Sequence, residues 1–221
     1  MTADPILWLL QANDSGYPSG AYAHSSGLEE LVACGVVRDA ADLELFLQRQ
    51  ILPALLTFDI PWFARAHAAV AATDADALLA LDVELDAWRI PAELSEASRR
   101  IGSQRLELLI TLDASPFVTD FRETCPRCHQ MVVCALELAA LPLAQAASAY
   151  AYQAISSLTS AALKLIRIGQ SACQHILRRS LAQLGGQLDA ALLLEPDGWF
   201  NPMLEIASLR HARSHARLFI S

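Results

Sequence analysis

The residues best suited to chemistry form one local cluster, Cys125-Pro126-Arg127-Cys128-His129. Two thiols three positions apart with an adjoining imidazole supply half of a structural zinc site, and the same order is the attachment signal for a c-type haem. A tetrahedral zinc site needs a second ligand pair, but Cys134 and Cys173 stand singly in apolar, helix-patterned stretches. A haem would need an oxidising export compartment, and the opening MTADPILWLL has neither the basic start nor the long apolar run of a secretion signal. Two readings stand: a loop with two ordinary thiols, or a metal site using Cys125, Cys128 and His129 across a dimer interface. Five cysteines, an odd number, point to free thiols in a reducing cytoplasm.

The remaining chemistry is sparse. Histidines occur at 24, 67, 129, 175, 211 and 215, with no His-Glu-x-x-His among them. His211 and His215 have the i, i+4 spacing that places two side chains on one helix face, so a helix through both could hold a divalent ion weakly. The plainer reading is exposed polar residues near a helix C-terminus, where a cation complements the dipole. Ser19, between Gly16 and Gly20, is one place late for a nucleophile elbow and no strand precedes it. Asp82, Glu84 and Asp86 read as a solvated helix face. Lys164 is the only lysine and Leu163 precedes it, so the Gly-Lys pair of a phosphate-binding loop is missing. No enzyme and no cofactor are expected, and a binding role is favoured.

The elements that carry these residues read as helices. Of 221 residues, 54% are apolar and 18% charged, with Ala and Leu far outnumbering β-branched residues. Pro5 opens a short helix to Gln11, which the run Asn13 to Gly20 breaks. A second helix resumes near Ser25 or Ser26 and ends at Gly35. A third begins at Asp39 or Asp42, and Pro53 and Pro61 are expected to kink or break it before a piece around Trp62 to Ala72. Further helices are expected over 74–88, 91–112, 129–141, 142–168, 170–184, 188–194 and 203–211, with 113–128 a loop. The expectation is an all-α, single-domain bundle of about eight to ten helices covering 1–221, with 196–221 a mobile C-terminal tail.

Net charge is −8, divided as −11 over residues 1–120 (18 acids, 7 bases) and +3 over 121–221 (6 acids, 9 bases). No basic stripe with interleaved aromatics appears, which argues against nucleic acid. Leu138 to Leu163 is free of charge, but Pro142, Gln145, Gln153 and several hydroxyl residues make it a buried central helix and not a membrane span.

Three segments resemble the UreF family of urease accessory proteins. They are Leu9 to Glu29, with its Ser-Gly-Tyr-Pro-Ser-Gly-Ala-Tyr22-Ala-His24 loop; Ala161 to Gln174, with Lys164 before Gly169-Gln170; and Glu205 to Ser221, with Arg210-His211 and the Arg217-Leu-Phe ending. The resemblance extends over essentially the whole chain. It implies an all-α fold, a homodimer in the cytoplasm, and a complex with UreD (also called UreH), the GTPase UreG and apo-urease. In that role the chain is a non-enzymatic bridge modulating the GTPase that delivers nickel. Partner contacts carried over are Tyr22, His24, Glu29, Lys164, Gln170, Arg210, His211 and Arg217. Two departures stand out: Ser19-Gly20-Ala21 replaces the usual Gly-Gly before the aromatic, and Ala212 stands where the family has Glu. An alternative from a different class is a metal-binding chaperone that itself carries nickel or zinc through its Cys and His residues.

Overall fold

The structure is a computed structural model that describes residues 4–112, 115–196, 198, 201–215 and 217–221. Among these it contains no strand and ten α-helices of seven or more residues. In chain order the helices are α1 (Pro5–Ala12), α2 (Leu28–Ala33), α3 (Ala40–Phe46), α4 (Leu52–Ala54), α5 (Ile60–Ala71), α6 (Ala75–Trp88), α7 (Ala92–Leu112), α8 (Pro116–Thr124), α9 (Gln130–Glu137), α10 (Leu143–Leu165), α11 (Gln170–Gly185), α12 (Leu188–Ala191) and α13 (Pro202–His211). One 3₁₀ turn, Ala21–Ala23, lies in the opening loop.

Local chemistry explains most of these boundaries. Asp4, Asp39, Asp74, Ser115 and Asn201 each accept hydrogen bonds from the first-turn amides of the helix that follows, satisfying donors with no intrahelical partner. Pro5, Pro116 and Pro202 open their helices, where a missing N–H does no harm. Gly35, at φ 73°, follows the end of α2 in the left-handed conformation a glycine adopts without strain.

The prolines expected to break the 39–72 segment do not break it. The chain stays helical from Ala40 to Ala71 by widening into π-turns at Leu47–Ile51 and Leu55–Asp59, each just ahead of a proline. A π-turn moves the carbonyl that the pyrrolidine ring would strike. Burial keeps the segment together, because Leu47, Leu52, Leu55, Phe58, Ile60 and Phe63 are all enclosed, at about 1.5–3 kcal/mol for each large apolar side chain. A second correction concerns 113–128, where 116–124 is a helix. Pro116 begins it, and Val118 and Phe121 turn inward.

Helix α9 lies against both α5 and α7, and α10 packs on α5, α11 and α2. Every residue of α9 from Met131 to Glu137 is buried, as expected of a short helix apolar on all sides. Helix α10 buries a stripe that includes Ala147, Tyr150, Ala151, Ile155, Leu158 and Ala162, and leaves Ser148, Tyr152 and Ser160 exposed. No described helix is long and apolar enough to cross a membrane.

Candidate functional site

The carried-over residues come from three distant parts of the chain, and the fold gathers most of them at one edge. The left-handed turn at Gly20, φ 74°, swings the chain into Ala21–Ala23 and presents Tyr22 to solvent at 77% exposure. Gly20 takes the conformation that favours glycine, as do Ser26 and Gly27 at the far end of the loop, before α2. Ser19 is not among the positive-φ residues, so the loss of the second glycine is tolerated. Tyr22 and Lys164 both line a cleft of about 430 Å³, which also includes Tyr152, Gln153, Ser160 and Arg105.

The C-terminal residues return to this edge. Ile220 N–H donates to the Ala23 carbonyl at 2.8 Å, and the Ser25 hydroxyl donates to the Ser221 carbonyl at 3.0 Å. His24 Nδ1 meets Ser221 Oγ at 2.6 Å. Phe219 is 5% exposed, and the Lys164 ammonium lies 5.2 Å from its ring centroid, within reach of a cation–π contact. These contacts anchor a segment for which the sequence displays few apolar anchors.

Beneath the tail lies a buried charge cluster. His211, 1% exposed, places Nδ1 2.8 Å from Glu93 and Nε2 3.0 Å from Glu29. Glu29 also accepts from the Leu218 and Phe219 amides at 2.7 and 2.9 Å. Glu93 accepts from Ser208 Oγ at 3.3 Å and pairs with Arg217 at 3.4 Å. An imidazole with a carboxylate at each nitrogen is stabilised as the imidazolium, because only that form donates at both. Burial by itself would lower the His211 pKa, but the hydrogen bonds to Glu93 and Glu29 outweigh it and hold the value above the ordinary 6.5. Burial would raise Glu29, yet the Leu218 amide, His211 and the Phe219 amide together hold it below the ordinary 4.5.

These shifts fix a pH window. The His211 contribution is fully present below pH 6.5 and is lost as pH rises through the raised folded value; the Glu29 contribution is fully present above pH 4.5 and is lost as pH falls through the depressed one. Amide exchange at Leu218 and Phe219 should therefore be slowest, after correction for intrinsic rates, between pH 4.5 and 6.5 and should quicken above it. His211→Gln should flatten the alkaline side of that profile. A profile in the unsubstituted chain that is already flat through the histidine range contradicts the assignment.

Two carried-over residues stand outside the cluster. Gln170 is exposed at the first residue of α11, and the Arg210 guanidinium meets Cys34 Sγ at 3.7 Å. The exposed-histidine reading of His211 and His215 is corrected for His211, which is buried. The shared helix face is also absent, because α13 ends at His211. Glu93, Ser25, Phe219 and Ser221 belong to the site but are not among the partner contacts carried over from the resemblance. Glu93's position in the first turn of α7 is the one available signal.

The Cys125 cluster lies elsewhere and is occupied internally. Asp82, read as part of a solvated face, is fully buried and accepts from Cys125 Sγ at 3.1 Å, Cys128 N–H at 3.1 Å and His129 N–H at 2.7 Å. One turn on, Asp86 pairs with Arg99, Arg127 and His129, and its carboxyl is held at about 2, because hydrogen bonds from Arg127, Ser95 and His129 overcome the effect of burial. The two His129 nitrogens face Ser98 and Asp86 at 3.1 Å each, not the thiols. No group of three or more His, Cys, Asp or Glu side chains among the described residues is placed to hold a metal ion, so the carrier alternative gains no support.

A family profile described as UreF matches residues 37–181. The chain is 36% identical over 209 residues to the urease accessory protein UreF of Alkalilimnicola ehrlichii, covering 92% of this chain and 90% of that one. It is 32% identical to the UreF of an Arthrobacter species over 223 residues, at 97% and 96% coverage. With the UreF of Klebsiella pneumoniae strain 342 it shares 32% identity over 232 residues, at 100% and 99% coverage. With the helical bundle in place and the relatives aligned end to end, the chain belongs to the UreF family of urease accessory proteins.

Proposed function

We propose that this protein is a cytoplasmic, homodimeric scaffold that joins UreD (UreH) to the GTPase UreG in the complex delivering nickel to apo-urease, and that it modulates the GTPase without catalysing a reaction. The observation that supports this most is convergence. Tyr22, His24, Glu29, Lys164, His211 and Arg217, drawn from both ends of the chain and from α10, meet along one edge. The surroundings suit a protein partner. Tyr22 is fully presented, and Leu209, Leu218 and Ile220 remain more than half exposed close to the tail. Apolar side chains grouped beside a polar rim mark protein–protein contacts more often than small-molecule sites. On this reading the tail exchanges its own contacts for those of the partner. All five cysteines are free thiols, in keeping with a reducing compartment.

Urease activation in cells lacking the native protein tests the proposal. Tyr22→Ala, at an exposed site, should leave the thermal midpoint unchanged but lower nickel-dependent urease activity tenfold or more, the size expected for an anchor residue contributing about 2 kcal/mol. Full activity in a stably folded Tyr22→Ala protein would count against this edge as the contact surface.

A further inference from the structure

We propose that Cys125 and Cys128 form a redox-active dithiol, a modification site at which a low-molecular-weight disulfide makes an intramolecular Cys125–Cys128 bond. The proposal is independent of the partner reading, since the two thiols lie between α8 and α9, away from the tail.

Geometry supplies the reason. Cys125 caps the end of α8 and Cys128 precedes the N-cap of α9, so one short loop carries both. Cys128 has φ 57°, uncommon for a side-chain-bearing residue, and its conformation folds the loop back on itself. The Cys128 amide lies 3.2 Å from Cys125 Sγ, and Cys128 Sγ lies 3.5 Å from the Cys125 carbonyl oxygen. These two contacts hold both sulfurs within one short loop, so closing the bond calls on the loop and not on the helices. The Cys125 thiol donates to Asp82, and the Cys128 thiol to the Cys125 carbonyl. The neighbouring Cys128 side chain, burial and the Asp82 carboxylate push Cys125 up, while the adjoining Cys125 side chain lowers Cys128 against the effect of burial. Cys125 sits against the buried Asp82 carboxylate, which disfavours a thiolate there, whereas Cys128 stands just ahead of the α9 N-cap, so Cys128 is the attacking sulfur.

The other thiols are set apart. Burial pushes Cys134 up to about 12 and also raises Cys173. Cys34 is exposed, but its neighbours are Glu30 and Arg210 rather than a second thiol. The pair itself is buried, at 4% and 2% exposure, beneath the exposed Pro126, so a reagent enters as this surface loop opens.

The chemistry balances in two exchanges. The Cys128 thiolate attacks one sulfur of the small disulfide, forming a mixed disulfide and expelling one thiolate, which takes up the proton Cys128 gave to water. Cys125 then gives its proton to Asp82, its acceptor at 3.1 Å, and attacks Cys128 Sγ. The mixed disulfide breaks, and the second small thiolate leaves with that proton by way of Asp82 and water. Two protein thiols are oxidised by two electrons and one small disulfide is reduced to two thiols.

Full-length protein equilibrated in glutathione buffers of increasing oxidised fraction, then acid-quenched, denatured, alkylated and mapped by mass spectrometry, tests the proposal. Alkylation at Cys125 and Cys128 should disappear together in one two-electron transition while Cys134 and Cys173 stay fully alkylated. In Cys125→Ser, whose hydroxyl can still donate to Asp82, the reaction should stop as a glutathione adduct on Cys128. Full alkylation of both residues at every ratio, or an adduct on Cys128 of the unsubstituted chain with Cys125 still free, overturns the dithiol. Absence of an adduct on Cys128 in Cys125→Ser overturns Cys128 as the attacker.

Discussion

Gly102→Ala should destabilise this protein severely, by about 3 kcal/mol or more, because the added methyl has nowhere to go. Gly102 is buried in the middle of α7 where that helix crosses the start of α9. A Cβ built there falls on the Cys128 carbonyl oxygen and lies 2.7 Å from the Gln130 nitrogen and 2.8 Å from the His129 carbonyl carbon. All three obstacles are backbone, so no rotamer change relieves the clash and the helices must separate. The 125–129 loop would move with them, taking with it the donors that Asp82 requires. Urea denaturation would measure the effect as a lower midpoint with an unchanged slope. A loss below about 0.5 kcal/mol, the range of an ordinary surface substitution, would mean that α7 and α9 do not approach as described.

Arg105→Ala should cost a comparable amount, about 3–5 kcal/mol, through charge and not volume. Arg105 and Glu137 are buried ion-pair partners, with side chains 3% and 0% exposed. Glu137 also accepts a hydrogen bond from the Tyr17 hydroxyl, Arg105 lies 5.0 Å from the Tyr17 ring centroid, and its guanidinium reaches the Ala12 carbonyl at 3.4 Å. Burial raises the Glu137 carboxyl even though Arg105 and Tyr17 favour its charged form. Removing the guanidinium leaves a carboxylate in the core with one neutral donor. The same substitution releases Tyr17 and the end of α1, which together position the loop that presents Tyr22. Hydrogen exchange should therefore speed up over 13–24 in Arg105→Ala more than over α11. Uniform change across the chain would show a stability effect with no special tie to the loop.

How far the sequence could be read depended on whether the deciding interaction was local. Helices α1, α6, α10, α11 and α13 were legible because prolines, aspartates, glycines and apolar spacing act within a few residues. Pro53 and Pro61 misled because the π-turns that accommodate them are maintained by packing, which a local rule does not contain. Reading 113–128 as a loop missed α8, because a proline can end a helix or open one and only burial of Val118 and Phe121 decides. Asp82 and Asp86 sit four apart and share a face, but nothing local shows that the face turns toward the 125–129 loop more than 40 positions away. His211 is harder still. Its partners are 118 and 182 positions distant, so a buried double ion pair looked like a surface histidine.

The family resemblance named residues that local reasoning could not, and the fold places most of them on one edge. What unites them is the closure of the chain's end onto its opening loop, with Glu29 and Glu93 as the fixed carboxylates and His211 and Arg217 as the cations.

The central claim is that this edge grips protein partners, and a binding measurement on purified components tests it most directly. The full chain would be mixed with purified UreD and UreG, with and without GTP, and the products sized by light scattering after gel filtration. The account predicts a discrete assembly built on two copies of this chain that carries both partners, and weaker association with Tyr22→Ala or Arg217→Ala. Separate elution of the chain from both partners under every nucleotide condition would contradict it.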